Sequence, residues 1–280
     1  MENEPAELEE KVKSILENLE HAPEGTVMAL EPSNVKRANQ TRELFIGKLG
    51  ELLKDREDIE IVSLSENPEE SEAILQTIKE NPQKKYIIAN LRGSWLIGFK
   101  ENDQSLPIVN KWKNILKGNE NLLGKVWAAQ ADEIPLLTKE LRAEGIVINE
   151  VDVRPQEFQN TPEDQVVPFM KWLQAVEKIG QDRLPNRSLI LEAISHNLRS
   201  DYTILSLLGE NISVESINRV LGGEFRQPFE RSSVIFNNDG SVTIKYRKIE
   251  KTYPRQEFDQ IIDQVRAHGE ERKKEWLTSK

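Results

Sequence analysis

Thr26-Val27-Met28-Ala29-Leu30-Glu31-Pro32-Ser33-Asn34-Val35-Lys36-Arg37 opens the part of the chain whose reading decides the fold. A short apolar run ending at a polar, proline-containing loop reads as a buried strand. Beyond the loop, from about Ala38 to Lys54, Phe45, Leu49, Leu52 and Leu53 recur at helical spacing. The same alternation then repeats. Ile59-Glu60-Ile61-Val62-Ser63-Leu64 reads as a second strand, and Asn67-Pro68-Glu69-Glu70 as the cap, proline and acidic first turn of a helix. Tyr86-Ile87-Ile88-Ala89 is the third strand. Val109, Trp112, Ile115 and Leu116 mark a further helix, followed by a fourth strand at Lys125 to Ala129. Asp132 and Pro135 begin a helix that Gly145 stops, and Ile146-Val147-Ile148-Asn149-Glu150-Val151 is the fifth strand.

Strands separated by helices pair in parallel through right-handed crossovers, so the sheet must be covered on both faces. The expected fold is therefore α/β: a three-layer sandwich with a five-stranded, mainly parallel, flavodoxin-like sheet of order 2-1-3-4-5, followed by a C-terminal helical region with a β-hairpin. Residues 1–22 form an N-terminal helix with Leu8, Val12, Ile15, Leu16 and Leu19 on one face, residues 23–158 the parallel domain, and residues 159–280 an α+β region. In that last region Val166, Phe169, Met170, Leu173 and Val176 define one helix face. Arg187 to Leu208 reads either as two helices or as a strand and a helix. Ser233-Val234-Ile235-Phe236 and Val242 to Arg247 flank Asn237-Asn238-Asp239-Gly240, a strong hairpin signal. Pro254 starts the last helix.

Composition bounds the function classes. The 280 residues are 37% hydrophobic and 31% charged, which is enough to bury a core, and the net charge is −10. The absence of cysteine removes disulfides, thiolate zinc sites, iron–sulfur clusters and a Cys nucleophile. No run approaches the ~20 apolar residues of a membrane span, and Met1 to Pro5 lacks the basic and apolar parts of a secretory signal, so a soluble, cytoplasmic protein is expected. The acidic balance disfavours binding to phosphate backbones, although Arg231, Lys245, Arg247, Lys248 and Lys251 with Tyr246 and Tyr253 make the hairpin locally basic. Those cations also suit the protection of a sheet edge.

In an open parallel sheet a ligand binds beyond the carboxyl ends of the strands, where the order reverses. For the order 2-1-3-4-5 that point lies between the first and third strands. The loops there contain Ser33, Asn34, Lys36 and Arg37 on one side and Asn90, Arg92, Gly93, Ser94 and Trp95 on the other. Hydroxyl and amide donors at a helix start, cations, a glycine allowing close approach and an indole able to stack suit a phosphorylated or otherwise anionic small molecule. Asp152, near the end of the fifth strand, and His196, in Ser195-His196-Asn197-Leu198-Arg199-Ser200-Asp201, are the candidate proton-handling groups.

Sequence signatures of a definite chemistry are lacking. There is no G-x-G-x-x-G after the first strand, no G-x-x-x-x-G-K-[ST], and no G-x-S-x-G. His21, His196 and His268 are far apart, so no metal site is expected and no cofactor is named. The layout resembles response-regulator receivers, but Asn90 stands where that family has its acceptor Asp. The hydroxyl-rich phosphate loop of flavodoxins is echoed only by Ser33 and Thr41. The end of the chain, Gly269-Glu270-Glu271-Arg272-Lys273-Lys274-Glu275-Trp276-Leu277-Thr278-Ser279-Lys280, resembles the carboxyl-terminal export signal of bacterial type IV effectors, which implies export and action on host components. The alternative function is accordingly a non-enzymatic interaction module that meets a protein partner through hairpin 233–249 and the terminal helix.

Overall fold

The computed structural model describes residues 4–32, 36–65, 67–89, 106–158, 160–194, 198–225 and 232–278. They form a mixed α/β protein. Among the described residues no helix is long and apolar enough to cross a membrane. The chain divides into two compact units, one made of residues 1–98, 172–196 and 228–258, the other of 99–171, 197–227 and 259–280. Each unit draws on three stretches of chain, so the continuous spans 23–158 and 159–280 both contribute to each.

The first unit contains α1 (Glu4–His21), β1 (Val27–Pro32), α2 (Lys36–Leu53), β2 (Ile59–Val62), α3 (Pro68–Glu80) and β3 (Lys85–Ile88). Its sheet is completed by strands from much later in the chain, β4 (Leu189–Ile194), β5 (Ser232–Phe236), β6 (Val242–Tyr246) and β7 (Ile249–Tyr253). The order is β2-β3-β1-β4-β5-β6-β7. The first four run parallel, with Val27 beside both Tyr86 and Leu189, and the last three are antiparallel.

The pleat sends alternate residues to opposite faces. Met28, Leu30, Ile87, Ile190 and Ile235 pack with Val12, Ile15 and Leu19 of α1 and Phe45 and Leu49 of α2. Val27, Tyr86 and Ile88 instead join Ile78 of α3 and Leu184. The α3 start follows its sequence signal, since the Asn67 side chain accepts from Glu69 N at 3.0 Å and Pro68 occupies the first turn. The β5–β6 hairpin is likewise as the sequence predicts. Gly240 takes φ +83°, and the Asp239 carboxylate accepts from Ser241 N at 2.8 Å and Ser241 Oγ at 2.6 Å.

Two expected strands are absent, and with them the five-stranded 2-1-3-4-5 order. Lys125 to Ala128 belongs to a helix, α5 (Glu120–Ala128), capped by the Asn119 side chain, which accepts from Leu122 N at 3.1 Å. Every residue from Leu122 to Ala128 is buried, so the apolar run expected of a core strand here serves a helix buried all round. Residues 146–149 do alternate, with Ile146 and Ile148 buried and Val147 fully exposed, but they pair with no strand and lead into a short 3-10 turn at Glu150–Asp152.

The second unit is helical. It holds α4 (Leu106–Ile115), α5, α6 (Ile134–Ala143), α8 (Leu198–Leu207) and α9 (Val214–Val220), together with parts of α7 (Pro162–Arg183) and α10 (Arg255–Thr278). Aromatic packing organises its core. Trp127 stacks on Phe158 at 4.9 Å between centroids, and Tyr202 meets Trp127 and Phe225 edge-on at 6.3 and 5.6 Å. The polar ends are satisfied, Tyr202 Oη donating to Gly124 O at 2.8 Å and Trp127 Nε1 to Asn160 O at 2.8 Å. Burial raises the Tyr202 phenol well above its ordinary pKa, so this hydroxyl stays a donor.

Candidate functional site at the carboxyl ends of the parallel strands

The two edges of the parallel strands differ in chemistry. At the amino ends Arg187, just before β4, donates from Nη1 to Gly25 O (2.8 Å) and Lys84 O (3.1 Å), and from Nη2 to Asn81 O (2.8 Å) and, over a shorter distance, to Ile78 O. Lys85 at the start of β3 donates to Leu19 O and Glu20 O, the last carbonyls of α1, at 2.7 and 2.8 Å. Burial lowers the pKa of both cations, and each is spent on backbone carbonyls. That edge is closed by structural bonds.

At the carboxyl ends the register aligns Leu30 with Glu192, Glu31 with Ala193 and Pro32 with Ile194, while β5 enters antiparallel with Ser232 beside Ala193. β3 flanks β1 on the other side, with Ala29 beside Ile88. From β1 the chain goes by way of α2 to β2 on one side; β5 lies on the other side of β4. The reversal point is thus between β1 and β4, one strand away from the expected gap between the first and third strands.

Of the expected ligand residues, Lys36 and Arg37 open α2, whose first turn contains no acidic residue. Ser33, Asn34, Asn90, Arg92, Gly93, Ser94, Trp95 and the candidate proton carrier His196 lie outside the described residues. Asp152 belongs to the second unit, where its Oδ2 accepts from Asn149 N at 3.2 Å and closes the 3-10 turn; with no fifth strand, it stands at no strand end.

The register adds a group that the sequence reading passed over. Glu192, two residues before the end of β4, is 1% exposed. Its Oε1 accepts from Ser233 Oγ at 2.6 Å and from Asn18 Nδ2 at 3.4 Å, and Asn18 Nδ2 also donates to Ser233 Oγ at 3.2 Å. The pleat puts Glu192 on the face of Ile190, among the residues covered by α1 and α2. A carboxylate there is costly unless hydrogen-bonded, and a core role alone would be met more cheaply by an apolar residue. The available signal was Glu192 itself, the one charged residue in Leu189-Ile190-Leu191-Glu192-Ala193-Ile194.

The class these observations define is a mixed α/β protein whose parallel strands end at an edge bearing a buried carboxylate. Comparison of the chain with protein-family models, curated proteins and solved structures finds no match.

Proposed function

We propose that the carboxyl edge of β3, β1 and β4 binds an anionic small molecule, with phosphorylated compounds the favoured class. The observation that carries this reading is the chain reversal between β1 and β4, with α2 opening four residues after the end of β1 on Lys36 and Arg37. A helix start supplies unpaired N–H groups and the positive end of its dipole, and two cations beside it favour negative charge. In this reading the hydrogen-bond donors are Ser33 and Asn34, the neutralising cation is Arg92, and Asn90, Gly93, Ser94 and Trp95 complete the set of ligand-binding residues. His196 and Glu192 are the proton-handling candidates. We read the helices on alternate faces, α1 and α2 against one and α3 against the other, as the three-layer arrangement in which such edges bind ligands.

The experiment is calorimetry and thermal-shift titration with inorganic phosphate, nucleotides, sugar phosphates and flavins. Binding by at least one phosphorylated compound, lost in Arg92→Ala and in Lys36→Ala/Arg37→Ala with unchanged Tm, is the expected result. A cooperative fold that responds to none of them removes the reading. The interaction-module alternative has one observation in its favour: β7 is one of the two edge strands of the sheet, with Ile249 to Thr252 exposed, whereas β5 is buried throughout and β6 almost throughout.

A further inference from the structure

Asp239-Gly240, at the tip of the β5–β6 hairpin, is the one place in the sequence where an Asp or Asn precedes a glycine. The pair matters chemically because glycine, having no side chain, leaves its peptide nitrogen free to approach the preceding carboxyl carbon. In that reaction the Gly240 nitrogen loses its proton and forms a bond to Asp239 Cγ, from which an oxygen departs as water. The resulting succinimide takes up a water at the Asp239 main-chain carbonyl carbon, and the bond from that carbon to the Gly240 nitrogen breaks. The product is isoaspartate, of unchanged mass, with a main chain one methylene longer. No other reactant is consumed.

The folded hairpin holds both partners of that reaction. The Gly240 nitrogen donates its hydrogen to Asn237 O at 3.0 Å. The Asp239 carboxylate accepts at Oδ1 from Ser241 N at 2.8 Å and from Ser241 Oγ at 2.6 Å. Ser241 Oγ is fixed in turn, accepting from Asn237 Nδ2 at 3.0 Å, and Asn237 Nδ2 also donates to Thr243 Oγ1 at 3.1 Å. An ionised carboxylate is a poor electrophile, because its oxygen has to leave as water, and the two Ser241 bonds hold the Asp239 carboxyl below its usual pKa. Attack therefore requires a local opening that releases Gly240 from Asn237 and Asp239 from Ser241.

We propose that Asp239-Gly240 is a latent site of isoaspartate formation, kept closed by Asn237 and Ser241 while the hairpin is folded. The position makes the modification consequential. Asn237 N donates to Ser241 O at 2.9 Å across the connection, and directly beyond it Phe236 faces Val242 in the first pair of the ladder. A methylene added between Asn237 and Ser241 disturbs the register that buries Val242, Ile244 and Tyr246. The reaction thus marks molecules whose hairpin has stayed open.

The test is prolonged incubation of the full chain at physiological temperature and mildly acidic pH, followed by trypsin, which releases Ser232 to Lys245 as one peptide. Isoaspartate is read as a chromatographically separate form of unchanged mass that an Asp-specific endoproteinase no longer cleaves, whereas deamidation of Asn237 or Asn238 raises the mass. The reference is the synthetic peptide of the same residues, which should convert at least tenfold faster than the folded chain. Ser241→Ala should speed conversion in the folded chain at least threefold, and Ser241→Thr, which keeps the hydroxyl, should leave it near the wild-type rate, both with wild-type Tm. Equal rates in peptide and folded chain, a Ser241→Ala chain as slow as wild type, or a Ser241→Thr chain as fast as Ser241→Ala would each overturn the proposal.

Discussion

Arg272 and Glu163 form an ion pair in the interior of the second unit, at 2.9 Å between Nη2 and Oε1, with side chains 7% and 4% exposed. Desolvating both charges offsets much of their attraction, so the pair is worth less intact than its loss costs. Arg272→Ala or Glu163→Ala, leaving one buried charge alone, should cost about 3–5 kcal/mol. The double replacement Glu163→Leu/Arg272→Met should recover most of that. Urea denaturation of the three variants measures it, and a double variant no more stable than the singles contradicts the reasoning.

The amino edge of the sheet gives a second prediction. Arg187 binds four carbonyls from Gly25, Ile78, Asn81 and Lys84, a geometry only a planar fork can make. Arg187→Ala should destabilise by about 3 kcal/mol, since charged hydrogen bonds contribute about 1.5–3 kcal/mol each and some carbonyls will rehydrate. Arg187→Lys should restore less than half of the loss, as a shift in the denaturation midpoint will show.

Gly124 in α5 tests packing against propensity. A Cβ there would lie 2.3 Å from the Phe225 ring and 2.8 Å from Leu198 Cδ2. Helix propensity favours Ala over Gly by about 1 kcal/mol, but overpacking costs about 1–3 kcal/mol. The ring contact is short enough for the clash to win, so Gly124→Ala should lower Tm. In a Phe225→Leu background the same substitution should be neutral or stabilising; a Tm gain in the native background would mean that the ring moves aside freely.

Acid should weaken one surface pair in a defined window. The Arg56 guanidinium, 2.7 Å from both Asp58 oxygens, holds the Asp58 carboxyl down at about 2. Because the folded-state pKa lies below the unfolded one, the stabilisation is complete above about pH 4 and is lost as pH falls through about 2. The pair is exposed, so the effect is at most about 1 kcal/mol. Comparing wild type with Asp58→Asn, their stability difference should shrink over that window and stay constant above it.

The sequence was informative where local chemistry decides structure. β1, β2 and β3 follow from apolar runs between turn residues, α3 from Asn67 and Pro68, and the hairpin from Asn238-Asp239-Gly240. It misleads at Lys125 to Ala129, where a short run that is apolar but for Lys125 suits a core strand and a buried helix equally, and the Asn119 cap decides for the helix. The same ambiguity left Leu189 to Ile194 undecided. Strand order was beyond reach because the neighbour that completes β1 is β4, and nothing local records a pairing between positions 27 and 189. The site inherits that limit. Lys36 and Arg37 were found from their place after a strand, whereas Glu192 gained its meaning only once β4 stood between β1 and β5.

That distant pairing also sets a timetable for synthesis. A ribosome must release β4 before β1 can gain its second neighbour, and later still before β5 to β7 can extend the sheet. Until then β1 offers an open flank of unpaired amides and carbonyls to any extended peptide nearby. Non-local closure of this kind leaves that flank exposed for longer during synthesis than a pairing between neighbouring strands would.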